Sequence, residues 1–153
     1  MRLNYFNTTL LFCQHICCKI FNIRYNIFEV IKMPLVEKPI HIFEPNPLAC
    51  GQAVLAMLTG RDVNEIIKLC GTARETTLAD MKRVLKHFSI EFSNERIQTN
   101  AKSDLPDIAF LSLETPKCWH WSLYFEGFFY DPEFGVLEDF PESNRKYYWQ
   151  IKR

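Results

Sequence analysis

The chain has no surplus of either charge: eighteen Lys and Arg offset eighteen Asp and Glu, for a formal net charge of zero. A nucleic acid or an anionic membrane is therefore not expected as a bulk partner. The chain also lacks a Gly-rich phosphate loop, an internal repeat and a low-complexity run. Its six cysteines form no regular disulfide framework, so a reducing, cytoplasmic setting with free thiols is expected. Cys13, Cys17 and Cys18 lie near His15 but have no second pair at zinc-finger spacing, so no metal is expected, and no cofactor. Long apolar runs are missing as well. Gln14, His15 and Lys19 interrupt the N-terminal one, which argues against a secretory core or a membrane span. Leu10-Leu11-Phe12-Cys13 is a poor lipoprotein signal, because Phe12 is bulky where a small residue is needed.

What is present fits one globular domain with a sizeable core: 153 residues, 48% hydrophobic and 24% charged. Thirteen Phe, six Tyr and three Trp are read mostly as core packing. Composition shifts at Met33-Pro34. Residues 1–32 are read as an N-terminal extension, either a helix packed on the domain or a stretch ahead of a true start at Met33, with the second preferred. Residues 33–153 are read as the domain.

Within it, helices come first and strands later. Small and apolar residues from Gly51 to Leu58 predict a helix stopped at Gly60. Asp62 is placed to cap a second helix, Val63 to Cys70, which ends at Gly71. Thr77 with Asp80 resembles a capping box for a third, running through His87-Phe88 with a stripe of Leu78, Met81, Val84, Leu85 and Phe88. Strands are expected at Ser89–Ser93, Ile108–Leu113, a hairpin from Trp119, and Tyr147–Ile151. Helices followed by an antiparallel sheet make an α+β domain.

Two stretches carry chemistry. Pro47-Leu48-Ala49-Cys50-Gly51-Gln52 puts a cysteine at or near a helix N-terminus, where unpaired N–H groups and the positive dipole end favour thiolate over thiol. Gly51 is expected to leave room for a substrate backbone. Alone, Cys50 reads equally as a small core residue. The second stretch is Trp119-His120-Trp121-Ser122 through Tyr130-Asp131-Pro132. With Glu126-Gly127 as a two-residue turn, Phe125 faces Phe128 and Ser122 faces Asp131. His120 shares the Ser122 face, so His120 and Asp131 are diagonal neighbours within side-chain reach. Asp131 can then fix the imidazole tautomer. A one-residue slip would undo this, and a plain hairpin with a rim histidine and an Asp-Pro turn has the same pattern.

Taken together, Cys50-Gly51, the apolar helix ending in Met57-Leu58, and the His-Trp strand followed by Asp131-Pro132 resemble the papain-like peptidases that cut double-glycine leaders from bacteriocin precursors, and their stand-alone relatives. The resemblance runs from Ile40 to Phe140, about two thirds of the chain. It implies a papain-like fold and a peptide or protein substrate. It also implies Cys50 as nucleophile, His120 as general base, Asp131 as orienter, and an oxyanion region around Gly51. Such peptidases carry a glutamine just upstream of the cysteine that helps hold the oxyanion.

Here Glu44 stands six residues before Cys50, at the place of that glutamine. An ionised carboxylate only accepts hydrogen bonds and repels a developing oxyanion, whereas a protonated one would donate. Gln52 is an amide nearby, inside the helix. The expected function is a papain-like cysteine hydrolase acting on a peptide. Two alternatives stand beside it: an acyl or amide transferase of the transglutaminase or arylamine-acetyltransferase type with the same triad, and a non-catalytic peptide-binding module of the same fold. Nothing in the sequence sets an oligomeric state.

Overall fold

The computed structural model describes residues 35–153, so the readings of residues 1–32 and of a start at Met33 lie outside the described residues. Among the described residues, three α-helices precede a seven-stranded antiparallel sheet, an α+β arrangement. Among the described residues no helix is long and apolar enough to cross a membrane.

Helix α1, Cys50–Thr59, is buried on every side from Cys50 to Leu58 because its residues other than Gln52 are small or apolar. Gly60, at φ 67°, ends it in the left-handed region. Helix α2, Val63–Cys70, starts where Asp62 accepts a hydrogen bond from the Asn64 amide at 2.8 Å and stops at Gly71, φ 72°. Helix α3, Leu78–His87, opens on a complete capping box. The Asp80 amide donates to Thr77 Oγ1 at 3.2 Å, and the Thr77 amide donates to Asp80 Oδ2 at 3.0 Å. Each helix is where its caps and apolar spacing put it.

The strands are β1 (Glu91–Phe92), β2 (Ile97–Thr99), β3 (Ile108–Glu114), β4 (Trp119–Phe125), β5 (Phe128–Asp131), β6 (Gly135–Leu137) and β7 (Lys146–Lys152), with a 3₁₀ turn at Lys102–Asp104. Their order across the sheet is β1-β7-β3-β4-β5-β6. Strand β2 pairs with β7 beyond β1, so the two short strands lie end to end along one edge. The expected strand Ser89–Ser93 contracts to two residues, because Ser89 takes φ 56° to leave α3. Strands β2 and β6 and the 3₁₀ turn have no counterpart in the sequence reading.

The β4–β5 register is the one read from the sequence: Phe125 opposite Phe128, Tyr124 opposite Phe129, Leu123 opposite Tyr130. Glu126 and Gly127 both have positive φ, 46° and 94°, as a type I′ turn requires. Strand β3 is buried on both faces. Phe110 packs toward the helices with Leu55, Met57, Leu85 and Trp149, while Leu111 and Leu113 pack with Tyr124 and Phe129 on the other face.

Gly51 has a role that the sequence reading missed. A Cβ there would sit 1.8 Å from Thr76 Oγ1 and 3.1 Å from Met81 Sδ. The space expected for a substrate is therefore filled from inside the protein, where α1 packs against the residues leading into α3. Gly51→Ala gains about 0.5–1 kcal/mol of helix propensity but overpacks a closed contact, at about 1–3 kcal/mol. A net loss is expected, seen as a lower melting temperature; a rise would mean that Thr76 moves aside freely.

Candidate active site

Cys50 is the first residue of α1. Two residues earlier Leu48 takes φ 127°, a strained conformation for a branched side chain. Ala49 precedes the helix and cannot cap it, and no side chain does. The N–H groups of the first turn are thus not claimed by a capping side chain, and their partial positive charge faces the Cys50 end. Cys50 is 7% exposed. The Trp121 amide donates to its Sγ at 3.5 Å, which ties the start of α1 to strand β4.

His120, one residue before Trp121, is 5% exposed, and Asp131 at the end of β5 is fully buried. His120 Nε2 lies 3.0 Å from Asp131 Oδ1 and 3.1 Å from Oδ2. Oδ1 also accepts from the amides of Glu133, at 2.9 Å, and Phe134, at 3.1 Å, so the Asp-Pro turn folds back on its own carboxylate. The Asp131 carbonyl accepts from His41 Nε2 at 2.7 Å. With Nε2 committed to Asp131, Nδ1 is the ring nitrogen left for the thiol.

The electrostatics follow from this geometry. Burial alone would raise the Asp131 carboxyl. The hydrogen bond and charge of His120 and the Glu133 amide overcome it and hold Asp131 below the usual carboxylate range. Burial pulls His120 down, but hydrogen bonds to Asp131 and Cys50, and the charges of both, raise it to about 10. The imidazole therefore keeps its proton at neutral pH. Ser122 Oγ is buried and lacks a hydrogen bond of full geometry, though it helps to lower Asp131.

Glu44 comes from the extended segment before α1, which is anchored by the Glu44 amide donating to the Pro132 carbonyl at 3.0 Å. Its carboxyl lines the same cavity as Cys50 and His120. Burial raises it first; the His120 charge opposes this, and Glu133 and Asp131 add to it, leaving it above an ordinary glutamate. Gln52 points elsewhere. Its Nε2 holds the carbonyls of Thr72 and Arg74 at 2.9 and 2.7 Å. Cys50, His120, Asp131 and Glu44 are thus brought together, while Gly51 is turned toward Thr76.

The cavity has a volume of about 620 Å³. Leu48, Leu78, Trp119 and Trp121 form much of its wall, and Lys117 and Glu133, 3.2 Å apart, stand beside it. The sequence reading did not pick out these residues. The two tryptophans flanking His120 were the available signal, but they read equally as strand aromatics.

No model of a known protein family matches the chain, and no curated protein matches it. Among solved structures it is similar to the crystal structure of the peptidase domain of Streptococcus ComA, a bi-functional ABC transporter involved in a quorum-sensing pathway. The TM-score is 0.52 and the identity 16%, over 72% of this chain and 96% of that one. At this identity the likeness is one of fold: the described helices and antiparallel sheet are arranged as in a peptidase domain.

Proposed function

We propose that this chain is a papain-like cysteine peptidase in which Cys50 is the nucleophile, His120 the general base and acid, and Asp131 the orienter. One observation carries the reading: a cysteine at an uncapped helix start shares a cavity with a histidine that a buried aspartate holds through Nε2. Cys50 Sγ attacks the substrate carbonyl carbon, and the carbonyl electrons move to oxygen. The Cys50 amide, at the positive end of α1, is a backbone donor for that oxyanion. Collapse expels the amine, which takes the His120 proton. Water, deprotonated by His120, then cleaves the thioester and frees the thiol. Asp131 keeps the ring oriented and stabilises the imidazolium throughout.

Acyl transfer uses the same thioester with an amine in place of water. The test is hydrolysis of a broad peptide library, read by mass spectrometry, with and without added amine. New peptide termini support the peptidase, amine adducts support the transferase, and neither product supports the binding module, which the carboxylate of Glu44 in the cavity favours. We place the enzyme in residues 33–153 and in a reducing, cytoplasmic setting suited to a free Cys50. A chain beginning at Met33 is expected to melt within a few degrees of the full chain, since about 1 kcal/mol moves such a domain by roughly 2–8 °C. Loss of folding would assign residues 1–32 to the domain.

A further inference from the structure

The cavity beside Cys50, about 620 Å³, falls among pockets that enclose drug-sized ligands. Its wall is largely carbon, and the most prominent part is Trp119, left 46% exposed. This ring is fixed in advance. The Arg145 guanidinium lies 5.5 Å from its centroid and Arg96 5.9 Å. Arg145 is pinned by hydrogen bonds to Glu114 at 2.6 and 2.8 Å. Arg96 sits 3.6 Å over Tyr147, whose ring is 6.0 Å from that of Trp119. Trp121 is held too, by Nε1 donating to the Thr76 carbonyl at 3.0 Å and by ring contacts with Phe110 and Trp149. Two immobilised aromatic walls lose little freedom when a ligand settles against them.

We infer that the cavity receives a bulky apolar side chain of the peptide substrate, aromatic or long aliphatic, from a residue adjoining the bond to be cut. Trp119 is the specificity-determining residue. The inference rests on the reading of Cys50 as nucleophile, because it places the scissile carbonyl at the sulfur that shares this cavity. A pair of glycines at the cleavage point, which the resemblance to leader peptidases would imply, leaves the space between Trp119, Trp121, Leu48 and Leu78 unfilled.

The test uses two peptidyl acyloxymethyl ketones that differ only in the residue next to the reactive group, phenylalanine or glycine, with Cys50 labelling followed by mass spectrometry. Burying the phenyl ring is expected to make the phenylalanine probe about 10- to 100-fold faster. Trp119→Ala removes one wall and Leu78→Trp fills the space, and each is expected to bring the ratio to within about threefold. The half-exposed Trp119 and the partly exposed Leu78 make both variants accessible, and either suffices if the other misfolds. Equal rates in the wild type, or a faster glycine probe, overturn the substrate class while leaving Cys50 as nucleophile. A preference that survives in both variants overturns the cavity as its source. Failure of both probes to label Cys50 overturns the peptidase reading itself, and this inference with it.

Discussion

Alanine at Cys50 or at His120 is expected to lower peptide hydrolysis by about 10⁴-fold or more, with the double variant no worse than the poorer single one. The two side chains make one device: the sulfur attacks only with the imidazolium beside it, and the proton that the imidazolium holds finds its acceptor, the leaving amine, only after that attack. His120→Ala also strips Asp131 of its charged partner, and Asp131 is fully buried. An unpaired buried charge costs about 3–5 kcal/mol, so rates need to be compared below the melting temperature of each variant. Cys50→Ser changes one atom, keeps the packing and separates lost chemistry from lost stability. Activity within tenfold of wild type in His120→Ala would remove the histidine from the mechanism.

Glu44→Gln is expected to do the opposite and raise turnover, by up to about 10²–10³-fold if a full oxyanion donor is gained. The substitution keeps the shape and replaces a group that only accepts with one that donates. Glu44 already faces the cavity and its carboxyl is raised by burial, so in the wild type it protonates at a higher pH than an ordinary glutamate. The sign follows: as pH falls through that raised value the neutral carboxyl becomes a donor, so wild-type turnover is expected to climb on the acid side. His120 opposes that climb in the hydrolytic step, where the ring must be neutral to take the proton of water. In Glu44→Gln the climb should vanish and the high rate extend to neutral pH. An unchanged rate, with Cys50 still reactive, would locate the oxyanion donors elsewhere. Inactivity of both forms against a broad library would favour the binding module.

The parts legible in the sequence are those that local chemistry dictates. Asp62, the Thr77–Asp80 box, Gly60 and Gly71 mark helix ends through capping side chains or left-handed backbone set by neighbouring residues alone. The two-residue turn at Glu126-Gly127 fixes the hairpin register, and with it the approach of His120 to Asp131. Strands β1, β2 and β6 were blurred or missed for a physical reason. At two or three residues they carry no periodicity of their own, and they exist because β7 and β5 offer an edge to pair with. Gly51 was misread because Thr76, which fills its space, lies twenty-five residues away in the chain. The amides of Glu133 and Phe134 on Asp131, and the arginines around Trp119, likewise emerge only from tertiary placement.

The central claim is that His120 and Asp131 activate Cys50, and competitive alkylation tests it most directly. Iodoacetamide at neutral pH, with site-resolved mass spectrometry, ranks Cys50, Cys70 and Cys118 within one sample. Accessibility alone puts Cys118 first, since it is exposed and Cys50 is 7% exposed. Cys70 should be slow on any account, because burial raises its thiol to about 11. Cys50 is nevertheless expected to react at least about tenfold faster than Cys118, because a thiolate beside an imidazolium is the attacking species, and His120→Ala is expected to abolish the lead. Cys118 reacting first in the wild type, with Cys50 as slow as a buried thiol, would contradict it.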